Sequence, residues 1–188
     1  MGYYGKSNAA NPALIAATEL TADTTTVIFD GVFNAETKHY KLIIVGAQID
    51  HTNSRISFAR RLDGSTLGGA NVMVGSGYLG NVQAGETTAV ETNVSTATFD
   101  YDASKLGTNA TRQALHVVQD IFPTVKYLPT DLQQNIHVSS GDYYDDAGDV
   151  FSMERAITMK TGVGYDGVII SAQAGNLSAG KFYIYAMV

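Results

Sequence analysis

The residues best suited to chemistry in this 188-residue chain sit in one loop, GDYYDDAGD, where Asp142, Asp145, Asp146 and Asp149 crowd between Gly141 and Gly148. Carboxylates gathered this way can hold Ca2+, which takes about six to eight oxygen ligands. The spacing is not that of an EF-hand, and no Glu closes the set. A solvated acidic loop is therefore the first reading and a Ca2+ site the second, with no other cofactor implied. Tyr143 and Tyr144 lie beside these acids. An aromatic face next to carboxylates suits a sugar ring, so both tyrosines are candidate glycan contacts.

Other constellations carry less. Gly75-Ser76-Gly77-Tyr78-Leu79-Gly80 matches a dinucleotide fingerprint as a string. A Rossmann glycine loop must open a helix, whose N-terminus faces the pyrophosphate. Asn81-Val82-Gln83-Ala84-Gly85 follows instead, so a glycine-rich surface loop is expected. His39, His51, His116 and His137 are scattered, without the paired spacing of a zinc site. Asp100 and Asp102 share one face of a predicted strand. They could form a glycosidase pair, but the solvent side of a strand is the simpler reading. No GxSxG elbow occurs. Arg60-Arg61 beside Asp63 predicts an ion pair at a turn, of small energy. No catalytic residue is assigned.

Composition narrows the class. The chain has 12 Lys and Arg against 18 Asp and Glu, a net charge of -6. Nonspecific nucleic-acid binding needs a basic surface to displace counterions, so it is not expected. Cysteine is absent, which rules out disulfides and thiolate metal sites. No apolar run reaches the ~20 residues of a membrane helix, so membrane insertion is not expected. Residues 1–17 carry one Lys and no continuous apolar stretch, unlike a secretory signal. Nineteen Gly and eleven Tyr against three Pro point to a β-rich chain with many turns.

The elements that must position these groups are mostly strands. In DGVIISAQAGNLSAGKFYIYAMV, Val168, Ile170 and Ala172 alternate with Ile169, Ser171 and Gln173. Beyond a Gly175-Asn176 loop, Phe182, Ile184 and Ala186 alternate with Lys181, Tyr183, Tyr185 and Met187. Period two with branched and aromatic side chains is strand chemistry, so the two runs read as strands either side of a small polar loop. HYKLIIVGAQI places Tyr40, Leu42 and Ile44 on one face and Ile43 and Val45 on the other, so both faces are expected to be buried. In RISFARRL, Ile56 and Phe58 point inward and Arg55 and Ser57 outward, and Asp63-Gly64 is a hairpin turn. Residues 109–122 permit a helix or a strand, with Leu115, Val117, Gln119 and Ile121 on one side of the strand, the favoured form. The predicted core includes Ile43, Val45, Phe58, Ile170, Phe182 and Ile184. The fold class expected is all-β, an antiparallel two-sheet sandwich over residues 13–188.

Residues 1–12 read as an extended arm of small polar residues, in which Tyr3 and Tyr4 are the large side chains. Ordering each residue costs ~1–2 kcal/mol of backbone entropy. Two buried tyrosines return roughly 3–5 kcal/mol. The arm is expected to gain the remainder by adding backbone hydrogen bonds across another subunit, in a homo-oligomer for which a trimer is one candidate.

Three stretches carry a resemblance. TTVIFDGVF followed by HYKLIIVGAQI, then RISFARRLDGST, and above all VIISAQAGNLSAGKFYIYAMV, which resembles the family's closing hairpin, are similar to small virion proteins of tailed, marine-type bacteriophages. The likeness covers both ends of the chain and is loose over residues 70–150. Ala186-Met187-Val188 also stands where the family carries a glycine-containing terminus. The resemblance implies a jelly-roll-like β-sandwich in a virus particle, made in the host cytoplasm. It carries no catalytic residues across. The function expected is a non-enzymatic structural component, a capsid decoration or cement protein or a head or tail appendage, with other virion proteins as partners. The alternative is a carbohydrate-binding module for host adhesion, as in a tail fibre or receptor-binding protein, contacting a host surface glycan.

Overall fold

A computed structural model describes residues 12–34, 36–37, 39–51, 54, 56–67, 72–81, 86–94, 99–101, 115–123, 134–144, 150–160 and 164–187, with the backbone alone described for the strands within 72–101 and 134–160. Among the described residues the chain is all-β, with two antiparallel sheets and no helix.

The described residues form thirteen strands in order: β1 (Pro12–Glu19), β2 (Thr26–Phe29), β3 (Tyr40–Ile49), β4 (Ile56–Leu62), β5 (Ser65–Thr66), β6 (Val72–Asn81), β7 (Glu86–Val94), β8 (Phe99–Tyr101), β9 (Leu115–Phe122), β10 (Gln134–Tyr144), β11 (Val150–Lys160), β12 (Gly167–Ala172) and β13 (Leu177–Met187). One sheet has the order β1-β13-β3-β9-β10-β11-β6-β7. The other has the order β2-β12-β4-β5, with β8 also paired to β4. Because β12 pairs with β4 from Ile56 to Arg61, β5 and β8 share the opposite edge of β4. Strands β1 to β4 alternate between the sheets, and β12 and β13 slot between them as β2-β12-β4 and β1-β13-β3. That interleaving of the two chain ends is jelly-roll wiring. Strands β10, β11, β6 and β7 extend one sheet beyond it.

The period-two residues explain the core. Phe182 and Ile184 of β13, Leu42 and Ile44 of β3 and Leu115, Val117 and Ile121 of β9 are all buried. Val27 and Phe29 of β2, Ile56 and Phe58 of β4 and Val168 and Ile170 of β12 meet them from the other sheet. Gln119 is buried on the same face of β9 as Leu115 and Val117, so the ambiguous 109–122 stretch is a strand from Leu115 onward, with the predicted side inward.

Several expectations are corrected. The last two strands are not a hairpin: β12 and β13 lie in different sheets, and so do β3 and β4. A jelly roll sends the chain across the sandwich where a meander would turn it back along one sheet. Only one face of β3 is core. Val45 is 40% exposed and Ile43 half-buried, because their face looks away from the second sheet. The glycine-rich stretch Gly75–Gly80 lies within β6, paired to β11 and β7 on its two sides. It is a strand and not a surface loop, since glycine omits a side chain without breaking a ladder. Ser57 is buried although it points away from the core.

Asp63 (φ 49°) and Gly64 (φ 75°) are both left-handed, as a two-residue turn between β4 and β5 requires. The basic pair divides at this end. Arg61 forms a two-pronged bond with Asp30, Nε to Oδ1 at 2.5 Å and Nη2 to Oδ2 at 3.0 Å, and also donates to the Gly64 carbonyl. Its expected partner, Asp63, instead donates its backbone N–H to Asp166 Oδ2 at 3.2 Å. Arg60 has the same strand parity as Ile56 and Phe58. It is buried, with its guanidinium 5.7 Å from the centre of the Tyr165 ring. Tyr165 meets Phe33 edge-on at 5.5 Å, and Phe33 meets Tyr40 at 4.7 Å. Burial holds the Tyr165 hydroxyl well above its ordinary pKa, opposed by Arg60. Burial likewise lowers that of Arg60.

Candidate contact surface

The side chains of the predicted Ca2+ and glycan residues lie outside the described ones, and the backbone places only part of the set. Asp142 lies in β10 opposite His116 of β9 and Ser152 of β11. Tyr143 and Tyr144 close β10, opposite Phe151 and Val150. Asp145, Asp146 and Asp149 fall outside the described residues, as do Tyr3, Tyr4 and Asp102. Asp100 sits in β8 opposite Ser57. Among the described residues no group of three or more His, Asp or Glu side chains converges as a metal site would require, and no helix is long and apolar enough to cross a membrane.

A surface feature emerges instead, on the face of the larger sheet that turns away from the core. Residues opposed in an antiparallel ladder share a face. Tyr185 stands between Leu14 and Lys41, and Tyr183 between Ala17 and Ile43. Ile43 stands next to Val118 on β9. The outer face of β1, β13, β3 and β9 thus presents Leu14, Tyr183, Tyr185, Ile43, Val45, Val118 and Phe122. Leu14, Val45, Val118 and Phe122 are each more than a third exposed. The two tyrosine rings lie 6.3 Å apart at 37°. A scattered exposed aliphatic needs no explanation, but Ala17, Tyr183, Ile43 and Val118 form one apolar cross-strand row over four strands, flanked by Leu14, Tyr185, Val45 and Phe122.

Charged pairs stand in the rows on either side of it, Lys41 and Asp120 beside Tyr185 and Lys181 and Glu19 beside Val45. On one side Asp120 accepts from Lys41 Nζ at 3.4 Å, and its Oδ1 lies 2.7 Å from His39 Nε2. The His39 ring stacks on Phe122 at 4.5 Å and 16°. On the other side Lys181 pairs with Glu19 at 3.1 Å, a bond that raises the lysine pKa. An apolar centre with a charged rim is the usual anatomy of a protein contact patch. His116, just past the patch on β9, lies with Nδ1 3.3 Å from the Gly46 N–H.

The sequence carried a signal for this surface: the second apolar face of HYKLIIVGAQI and the alternating tyrosines of KFYIY. Two apolar faces on one strand read as double burial. The alternative, one buried face and one contact face, has the same pattern.

No protein-family model, curated protein or solved structure matches the chain.

Proposed function

We propose that the protein is a non-enzymatic structural component of a tailed-phage particle, a capsid decoration or appendage protein that works through surface burial. The observation that carries this reading is the apolar row on the outer face of the larger sheet, from Ala17 through Tyr183 and Ile43 to Val118, with Leu14, Tyr185 and Phe122 beside it. Burying such a row returns about 25 cal/mol per Å² of apolar area, with no need of a cofactor. The jelly-roll sandwich and the resemblance of both chain ends to virion proteins support the same reading. Quantitative mass spectrometry of gradient-purified particles tests it. The chain should be present at a fixed copy number per particle, high for a shell protein and low for an appendage. Its absence from washed particles would refute the reading.

A second reading has one observation of its own. Tyr183 and Tyr185 form a half-exposed aromatic ladder beside Lys41, Asp120 and His39, a composition suited to stacking and hydrogen-bonding a host glycan. Binding to a glycan array that is lost in Tyr183→Ala would favour this adhesin over the structural role.

A further inference from the structure

The larger sheet has two free edges among the described strands, and they differ in chemistry. Strand β7 carries Glu86 and Glu91, so two such edges brought together would repel. Strand β1, PALIAATE, has no charge from Pro12 to Thr18. Pro12, Ala13, Leu14 and Ile15 are exposed, with Leu14 at 54% and Ile15 at 46%. In the smaller sheet, edge strand β2 has four residues, and β5 and β8 have two and three. An uncharged eight-residue edge is the place where a sheet recruits another strand. Its protections are slight. Pro12 removes a donor at the first position only, and the bulge between Leu14 and Ala16 leaves Ala16 to Glu19 in regular register with β13.

We infer that β1 is the self-association edge: two copies pair β1 against β1 antiparallel about a two-fold axis, joining their larger sheets into one. The inference rests on the assembly reading and adds to it the partner, a second copy, and the symmetry. A two-fold brings an edge strand onto itself in the antiparallel sense, the sense of every other pairing in this sheet. Charge favours this edge over the other, because a neutral strand meets its own copy without repulsion. Glu19, the one acid of β1, already has a partner in Lys181. Ala17, opposite Tyr183, would carry the apolar row of one copy to the axis and on into the next.

The absence of cysteine makes the test direct, because a single introduced thiol can cross-link only between copies. Cysteines whose Cα atoms lie more than about 7 Å apart do not close a disulfide without backbone movement. Ala13→Cys, Ala16→Cys and Ala17→Cys would be oxidised alongside Val45→Cys and Val118→Cys on the outer face, with light scattering on the unaltered chain. The expected result is a dimer in solution, fastest cross-linking at one β1 position, and a folded monomer from Ile15→Lys by scattering and circular dichroism. Fastest cross-linking at Val45→Cys or Val118→Cys would mean that copies meet face to face, overturning the inference while leaving assembly intact. A monomeric unaltered chain with no cross-linked variant would overturn it as well. Whether the protein belongs to a particle is decided separately, by its presence in washed particles.

Discussion

Asp50 and Asn176 hold together two of the crossings between the sheets. The Asp50 carboxylate accepts the Asn176 backbone N–H at 2.5 Å and its side-chain amide at 2.9 Å. The Asp50 N–H in turn donates to the Asn176 carbonyl at 3.0 Å. Ser54 repeats the device next door, donating to the Ala174 carbonyl at 2.7 Å and accepting from the Ala174 N–H at 3.0 Å. One crossing leads from β3 to β4 and the other from β12 to β13, so this clasp fixes the wiring at one end of the sandwich.

The clasp predicts an acid-dependent contribution. The Asn176 backbone and side-chain bonds hold the Asp50 carboxyl below its ordinary 3.8. A lowered folded-state pKa stabilises above the unfolded value and is lost as pH falls through the folded one. Asp50→Ala should therefore melt below the wild type at pH 7, and the gap should close as pH drops below the ordinary carboxylate range. A gap unchanged at low pH would show that the carboxylate charge is not what holds the crossing.

Gly175 should be the least replaceable residue of that loop. Its φ is +74°, and a Cβ there would meet Asp50 Oδ1 at 2.3 Å. At Gly64, φ is +75° with open space around it. Gly64→Ala should cost the conformational penalty alone, about 1 kcal/mol. Gly175→Ala should cost more, because the clasp must also open. Urea unfolding of the two variants compares them, and equal losses would remove the clasp from the explanation.

Two positions separate the faces. Phe182→Ala should lose ~3–5 kcal/mol, because the ring is fully buried between the sheets. Val45→Ala, on the outer face, should change the stability of the dilute subunit by less than about 1 kcal/mol. Denaturant titration at low protein concentration measures both.

Tyr165 predicts an alkaline limit. Its hydroxyl is buried and held above the ordinary 10.0, so the unfolded chain gives up this proton first as pH rises. Stability from this group is complete below pH 10 and declines above it. Tyr165→Phe should flatten the alkaline part of the stability curve. An identical decline in both proteins would place its cause elsewhere.

Local pattern made the strands legible and left the wiring hidden. Alternation in KFYIYAM and GVIISA gave the inward residues of β13 and β12 correctly, since parity is a property of the backbone. Whether two successive strands share a sheet depends on loops such as Gln173 to Asn176, where Gly175 serves a hairpin and a crossing equally well. The same parity that placed Ile56 and Phe58 inside also placed Arg60 there. Its charge argued for the surface, and the Tyr165 ring that offsets the cost is 105 residues away in sequence. Of the contact surface, Tyr183 and Tyr185 were visible as the outward set of β13. Phe122 and Leu14 joined them only through the order β1-β13-β3-β9.

The account stands on the outer face of the larger sheet being covered in the particle. Hydroxyl-radical footprinting of the free protein and of purified particles, read out by mass spectrometry, measures this at Tyr183, Tyr185 and Phe122. The account predicts ready oxidation of all three in the free protein and strong protection in the particle. Equal oxidation in both states, or particles that lack the chain, would contradict it.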